Sequence, residues 1–437
     1  MEKQDNNTLK KSLGLFDAMA IVIGMVIGSG IFFKPSIVFR NAGSPILAIM
    51  AWIVGGIIAL ASALTVAEIA SAIPKTGGLF IYLKVLYGEK WAFLFGWVQT
   101  LVYVPGSIAA LAIVLATQVT AFIPLTSKEQ KLVAIGLLLF LALLNVISTK
   151  LGSKIQGIIT VAKLLPILVI ILLGFTRGTS KGIVINNFSG GTVTGFGAAI
   201  LGTLWAYDGW MSVTNMAGEL KNPKRDLPKS IISGLLITIV IYVLINLALV
   251  KIISVEAIIS SDKPASDAAI VLFGGIGAKF ISAGILLSIL GALNGYIMTG
   301  VRVPFAMAEE KLLPYNKFFG KVNDKFGTPA NSFMFEMFLA CLYVLSGSFD
   351  MLTDLVMFVL WIFFTMAVAG IFLLRKNFKD LERTYRVPLY PFIPLVGIIG
   401  STYIIISTMI TNPIYALYGT VITILGLPVY FYVKKHN

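Results

Sequence analysis

Twelve apolar runs, each long enough to cross a bilayer as a helix, fill most of this chain, and two of them are broken in mid-span by small residues. The first run is interrupted at Gly28-Ser29-Gly30 and the sixth at Trp205-Ala206-Tyr207-Asp208-Gly209. In hydrocarbon every backbone amide and carbonyl must be satisfied by the protein itself, so a span unwinds only where it is buried or lines a site. Paired interruptions in corresponding spans are a pointer to a secondary transporter with a site near mid-membrane.

The runs lie near residues 15–39, 45–71, 91–123, 130–148, 154–175 and 194–218, then 229–252, 277–308, 331–347, 351–374, 392–411 and 413–433. The chain is 57% hydrophobic and 12% charged, with a mean hydropathy of +0.92. That charged fraction is about half of an ordinary soluble protein's, which excludes a soluble enzyme. No low-complexity linker divides the chain, so residues 1–437 are expected to form one all-α polytopic membrane domain. Runs one and six hold the same place in two successive groups of five, as an inverted repeat requires. Repeat one would cover about 15–175, repeat two about 194–374, and two peripheral helices about 392–433.

The net charge of +14 does not point to nucleic acid, because the basic residues sit in short loops and termini without interleaved aromatics. Alternate loops carry about 23 and about 9 Lys and Arg, which places both termini on the cytoplasmic side of a cell membrane. The polar stretch before the first run, with Lys3, Lys10 and Lys11, reads as a retained cytoplasmic tail. The single cysteine, Cys341, lies in an apolar run and allows no intramolecular disulfide.

If the first helix unwinds at Gly28-Ser29-Gly30, the amides of Ser29, Gly30 and Ile31 open a half-helix whose positive end suits a carboxylate. Carbonyls before the break, such as that of Val26, suit an ammonium. The competing reading is a small-residue packing face, which Gly24 and Gly28 fit. In the sixth run the carbonyls of Trp205 and Ala206 suit an ammonium as well, Trp205 can close over a small ligand, and Gly209 breaks the helix. Asp208 either faces the ligand or caps the following half-helix. Lys154, after Gly152-Ser153, is expected to project inward and bond carbonyls of the first break in place of a coupling cation. Its alternative is a snorkelling interfacial lysine, and Lys163 lies a few turns deeper. Tyr242 can offer its hydroxyl to the site or to a neighbouring helix, while Glu68 and Arg302 read as structural networks near the cytoplasmic face. The only histidine is His436, and no catalytic constellation, metal-ligand spacing or phosphate loop occurs, so neither an enzyme nor an ATP-driven pump is expected and no cofactor is called for.

Several stretches, taken in order, resemble the L-amino-acid transporter family of the amino acid, polyamine and organocation (APC) superfamily. They are Gly28-Ser29-Gly30-Ile31-Phe32, Ala67-Glu68 with Pro74-Lys75-Thr76-Gly77-Gly78, Trp205 through Trp210, Glu219 through Arg225, Arg302 through Pro314, and Arg386 through Pro391. The resemblance implies a LeuT-type fold of two inverted five-helix repeats, 12 transmembrane helices in all, with helices 1 and 6 unwound. It implies an amino acid held by the backbone of both breaks, with Val26, Gly28, Ser29, Gly30, Trp205, Ala206, Asp208 and Gly209 around it. It also implies that the Lys154 position stands where sodium-coupled relatives hold a cation. Sodium-independent exchange of small neutral L-amino acids such as alanine, serine and cysteine is then expected, with proton-coupled symport as the rival and a non-transporting receptor or enzyme as a remote one. Animal members carry a cysteine in the loop occupied here by Pro124 through Glu129, so no disulfide-linked heavy subunit is expected.

Overall fold

The protein is described by a computed structural model over residues 11–180, 193–261, 263–346, 349–411 and 413–436. The first apolar run forms α1 (Leu15–Val26) and α2 (Gly30–Ala42), separated by the expected break. The helices α3 (Pro45–Ala72), α4 (Leu79–Tyr87) and α5 (Glu89–Val98) follow, and α5 runs through a π-turn at Gln99–Tyr103 into α6 (Val104–Val119). Next come α7 (Ser127–Ile147), α8 (Thr149–Arg177) and α9 (Val193–Tyr207). A 3-10 segment, Trp210–Glu219, completes the sixth run. The second half contains α10 (Pro223–Ile252), α11 (Val255–Ser260), α12 (Pro264–Gly300), α13 (Arg302–Glu309), α14 (Asn316–Phe319), α15 (Ala330–Ser346), α16 (Phe349–Asn377), α17 (Phe392–Thr411) and α18 (Pro413–His436).

Local chemistry sets several of these boundaries. Ser44 accepts the Leu47 amide to start α3, with Pro45 in the first turn where its missing N–H costs nothing. Thr126 and Glu129 form a reciprocal capping box on α7, and Ser148 caps α8 through the Leu151 amide. The π-turn has its own cause. Pro105 has no N–H to donate to the Leu101 carbonyl, the helix widens there, and that carbonyl instead accepts the Tyr343 hydroxyl at 2.8 Å.

Ten helical stretches among the described residues are long and apolar enough to cross a membrane. Two of the twelve expected spans are not among them. The sixth is divided into α9 and the 3-10 segment, and the ninth, α15, has 17 residues. The stretch between the seventh and eighth runs also holds structure, because α11 and the first turns of α12 lie within it.

The arrangement is inside-out relative to a soluble protein. Large apolar side chains such as Leu132, Phe140, Leu143, Ile414 and Leu417 are exposed on the outer helices α7 and α18. Polar and charged groups including Lys163, Asp208, Asn246, Asn294 and Arg302 are buried at the centre. There α1 packs on α8, α10 and α12, while α2 packs on α3 and α9, which brings the two broken helices against each other.

Candidate substrate site

The two breaks touch. Gly30 is needed for that approach, since a Cβ there would lie 2.5 Å from the Ala206 Cα. Gly209 turns the chain at φ +104°, a region that L side chains rarely adopt, directly against Met25. Val26, Gly28, Ser29, Gly30, Trp205, Asp208 and Tyr296 line a narrow cavity between the breaks, with room for about one water molecule as the chain stands.

At the first break the helical ladder is lost after the Ile27 amide bonds Ile23. The Gly28 amide turns back to the Val26 carbonyl at 2.8 Å and leaves the Gly24 carbonyl without its helical donor. The Lys163 ammonium, on α8, donates to the Gly24 carbonyl at 2.7 Å and also to the Ile27 carbonyl, which accepts Ser288 Oγ at 3.0 Å as well. On the far side of the break, the Phe32 and Phe33 amides bond the Ser29 carbonyl. The Gly30 and Ile31 amides precede any intrahelical partner, as the first amides of a helix must, and so face outward from the start of α2. Ser29 Oγ is buried and unbonded.

At the second break the Asp208 amide bonds the Trp205 carbonyl at 3.3 Å. The Asp208 carboxylate is not a helix cap. Its Oδ2 accepts the hydroxyls of Tyr103 at 2.7 Å and Tyr296 at 2.6 Å, and its Oδ1 accepts no hydrogen bond. The Tyr242 hydroxyl joins the breaks, lying 2.5 Å from the Val26 carbonyl and 2.9 Å from the Ala206 carbonyl. One hydroxyl has one proton, so Tyr242 donates to one of these carbonyls at a time. The Val26 carbonyl therefore has internal donors already.

Beneath the site, a second set of bonds ties the chain before α1 to the end of the 3-10 segment. The Ser12 and Leu13 amides bond the Glu219 carbonyl at 3.0 Å, and the Lys221 amide returns to the Leu13 carbonyl at 2.9 Å. The Glu219 carboxylate is paired with Arg302, Oε1 to Nε at 2.8 Å, and both side chains are buried. Glu68 is likewise held by Arg375 at 2.7 Å and by the Val387 amide at 2.7 Å, and nearby burial and its charge push the Tyr385 phenol up to about 12. Glu68 and Arg302 are thus both engaged in ion pairs and do not line the cavity between the breaks.

An amino acid permease family model matches residues 13–432. The chain belongs to the amino acid permease family. It is 43% identical over 434 residues to the serine/threonine exchanger SteT of Bacillus subtilis, covering 99% of each chain. It is 32% identical to the b(0,+)-type amino acid transporter 1 of Mus musculus, covering 97% of this chain and 88% of the relative. Identity to the mouse large neutral amino acids transporter small subunit 2 is also 32%, over 97% and 81% of the two chains. The permease's relatives are transporters and not enzymes, and they place it in the APC superfamily.

One expected contact of the permease is made by another residue. Lys154 does not reach the first break, because it is exposed at the start of α8, and it is Lys163 that bonds carbonyls of that break. The reason is helical geometry. Nine residues at about 100° each put the two lysines on opposite faces of α8, and about 13 Å apart along its axis. Ser153, Gln156, Thr160 and Lys163 form the inward stripe. Tyr103, Ser288 and Tyr296 were not singled out from the sequence. Their signal was a lone polar residue in an apolar run, which many structural hydroxyls share.

Proposed function

We propose that this permease is a sodium-independent antiporter that exchanges small neutral L-amino acids, among them alanine, serine and cysteine, across the plasma membrane by alternating access. The observation that carries this reading is the pair of abutting breaks with a narrow cavity between them and a buried ammonium on the carbonyls of Gly24 and Ile27. A fixed ammonium on those carbonyls occupies the ligands that a coupling sodium ion would need.

On this reading the Ser29, Gly30 and Ile31 amides receive the substrate carboxylate at the start of α2. The substrate amine meets the Trp205 carbonyl and the open Asp208 Oδ1, and Trp205 closes over it. Tyr242 keeps the Val26 and Ala206 carbonyls in register between the two half-helices. A hydroxyl or thiol side chain also finds an acceptor in Asp208, and the SteT relative is named as a serine/threonine exchanger. The Tyr296 ring lines the cavity on the Asp208 side and favours small side chains.

The proposed architecture is twelve crossings in two inverted repeats, about 15–175 and 194–374, followed by peripheral helices at about 392–433, with both termini cytoplasmic. The positive-charge bias supports that orientation. Cys341, in α15, is the only cysteine, which supports a protein that works without a disulfide-linked heavy subunit. The test is uptake of labelled serine and alanine into proteoliposomes with and without internal amino acid, sodium and a proton gradient. Exchange requires internal amino acid and ignores sodium. Uptake that needs a proton gradient and no internal amino acid would replace it with proton symport.

A further inference from the structure

Lys154, displaced from the substrate site, belongs to a different feature. A groove of about 710 Å³ runs between the start of α1 and the first turns of α8. Lys150 and Lys154 stand one turn apart at its polar end, both exposed and with no hydrogen bond or ion pair among the described residues. The groove then continues over Phe16, Ile158 and Val161, whose side chains are 68%, 62% and 57% exposed. The one acid in it, Asp17, is engaged already, accepting the Gly14 amide at 2.8 Å and Ser153 Oγ at 2.7 Å.

We propose that this groove binds an anionic phospholipid, with its phosphate between Lys150 and Lys154 and an acyl chain along Phe16, Ile158 and Val161. Charge and position both favour that occupant. Two unpaired ammonium groups in the opening turns of a helix sit in the positive end of its dipole, where cations are disfavoured unless an anion joins them. An apolar track that begins one turn further along the same stripe calls for a hydrocarbon chain on that anion. A soluble anion leaves the track uncovered, and a zwitterionic lipid brings no net charge to the lysines. Basic pockets beside membrane helices at headgroup depth are suited to acidic headgroups. The lipid would touch both α1, the half-helix that leads into the first break, and α8, which carries Lys163.

The test is native mass spectrometry of the full-length protein released from nanodiscs containing equal amounts of phosphatidylglycerol and phosphatidylcholine. At about 1 kcal/mol per basic residue near a charged membrane surface, two lysines predict about a 30-fold preference for retained phosphatidylglycerol. The K150Q/K154Q variant should bring the ratio close to one, while K131Q, at the other end of the bundle, should keep it. I158S/V161S should shorten lipid retention without removing the headgroup preference. Equal ratios in wild type and K150Q/K154Q would overturn the proposal. So would displacement of the lipid by soluble glycerol phosphate at equal concentration, which would make the groove a site for a free phosphate.

Discussion

Replacing Lys163 with methionine keeps the length of a side chain that is fully buried and removes its ammonium. Two charge-assisted hydrogen bonds are at stake, at about 1.5–3 kcal/mol each, so about 3–6 kcal/mol bounds the effect from above. The Ile27 carbonyl retains Ser288 Oγ at 3.0 Å, so the carbonyl stripped of its partner is that of Gly24. Removing a buried charge also recovers its desolvation cost, which offsets part of the loss. The net cost to the geometry of the first break is therefore about 1.5–3 kcal/mol, or about a 10- to 150-fold fall in kcat/KM for exchange. The assay is serine counterflow in proteoliposomes, with initial rates measured against substrate on each side, alongside a melting curve in detergent. Folding should hold or improve while transport falls. Counterflow within twofold of wild type on both sides would refute the view that the ammonium holds the break open.

Three further outcomes follow from the same geometry. G30A puts a methyl group 2.5 Å from the Ala206 Cα, a backbone neighbour that cannot rotate away, and should reduce exchange by at least about tenfold while abolishing any substrate-induced rise in melting temperature. D208N removes the open acceptor while leaving an oxygen for Tyr103 and Tyr296, so the preference for serine over alanine should fall by about three- to tenfold in competition uptake, a loss of about 1 kcal/mol. R302M leaves Glu219 buried and unpaired and should cost about 3–5 kcal/mol of stability, read as a lower melting temperature that E219Q in the same chain partly restores.

The two breaks were legible because their causes are local. Glycines and a serine weaken a helix in mid-span, and the clusters at 28–30 and 205–209 signal this locally, although α9 stays helical through Tyr207 and the second break falls at Asp208-Gly209. Identifying the lysine that serves the first break needed more. Lys154 and Lys163 both lie in one apolar run, and only the rotation of α8 about its axis, set by Gln156 and Thr160 packing under Gly24, decides which one turns inward. The Tyr103 contact depends on the π-turn before Pro105, a local rule with a long-range result. The proline is visible in the sequence, but the widened turn delivers its tyrosine to an acid 105 residues away. Among the described residues, ten of the twelve runs form helical stretches long and apolar enough to cross a membrane; the sixth run divides at its break and α15 has 17 residues, differences in helix continuity that a count of apolar runs does not reveal.

The distribution of satisfied and unsatisfied groups bears on why such a site would exchange and not merely release its cargo. Each break has a set of bonds made within the protein: Lys163 and Ser288 on carbonyls of the first, Tyr103 and Tyr296 on Asp208 of the second, and Tyr242 between them. At the breaks themselves, among the described residues, Ser29 Oγ, Asp208 Oδ1 and the opening amides of α2 are left without such a bond. An α-amino acid carries the complementary set, a carboxylate for the amides and an ammonium for the acid. A carrier crossing between its two openings without cargo must close over those groups unpaired, at about 1–3 kcal/mol for each one buried. Three or four such groups add about 3–6 kcal/mol to the empty return even after partial relaxation, which slows it by at least about 100-fold relative to the loaded step. The loaded step pairs them. Obligatory exchange then follows from the chemistry of the two breaks, without any further gate that recognises whether the site is filled.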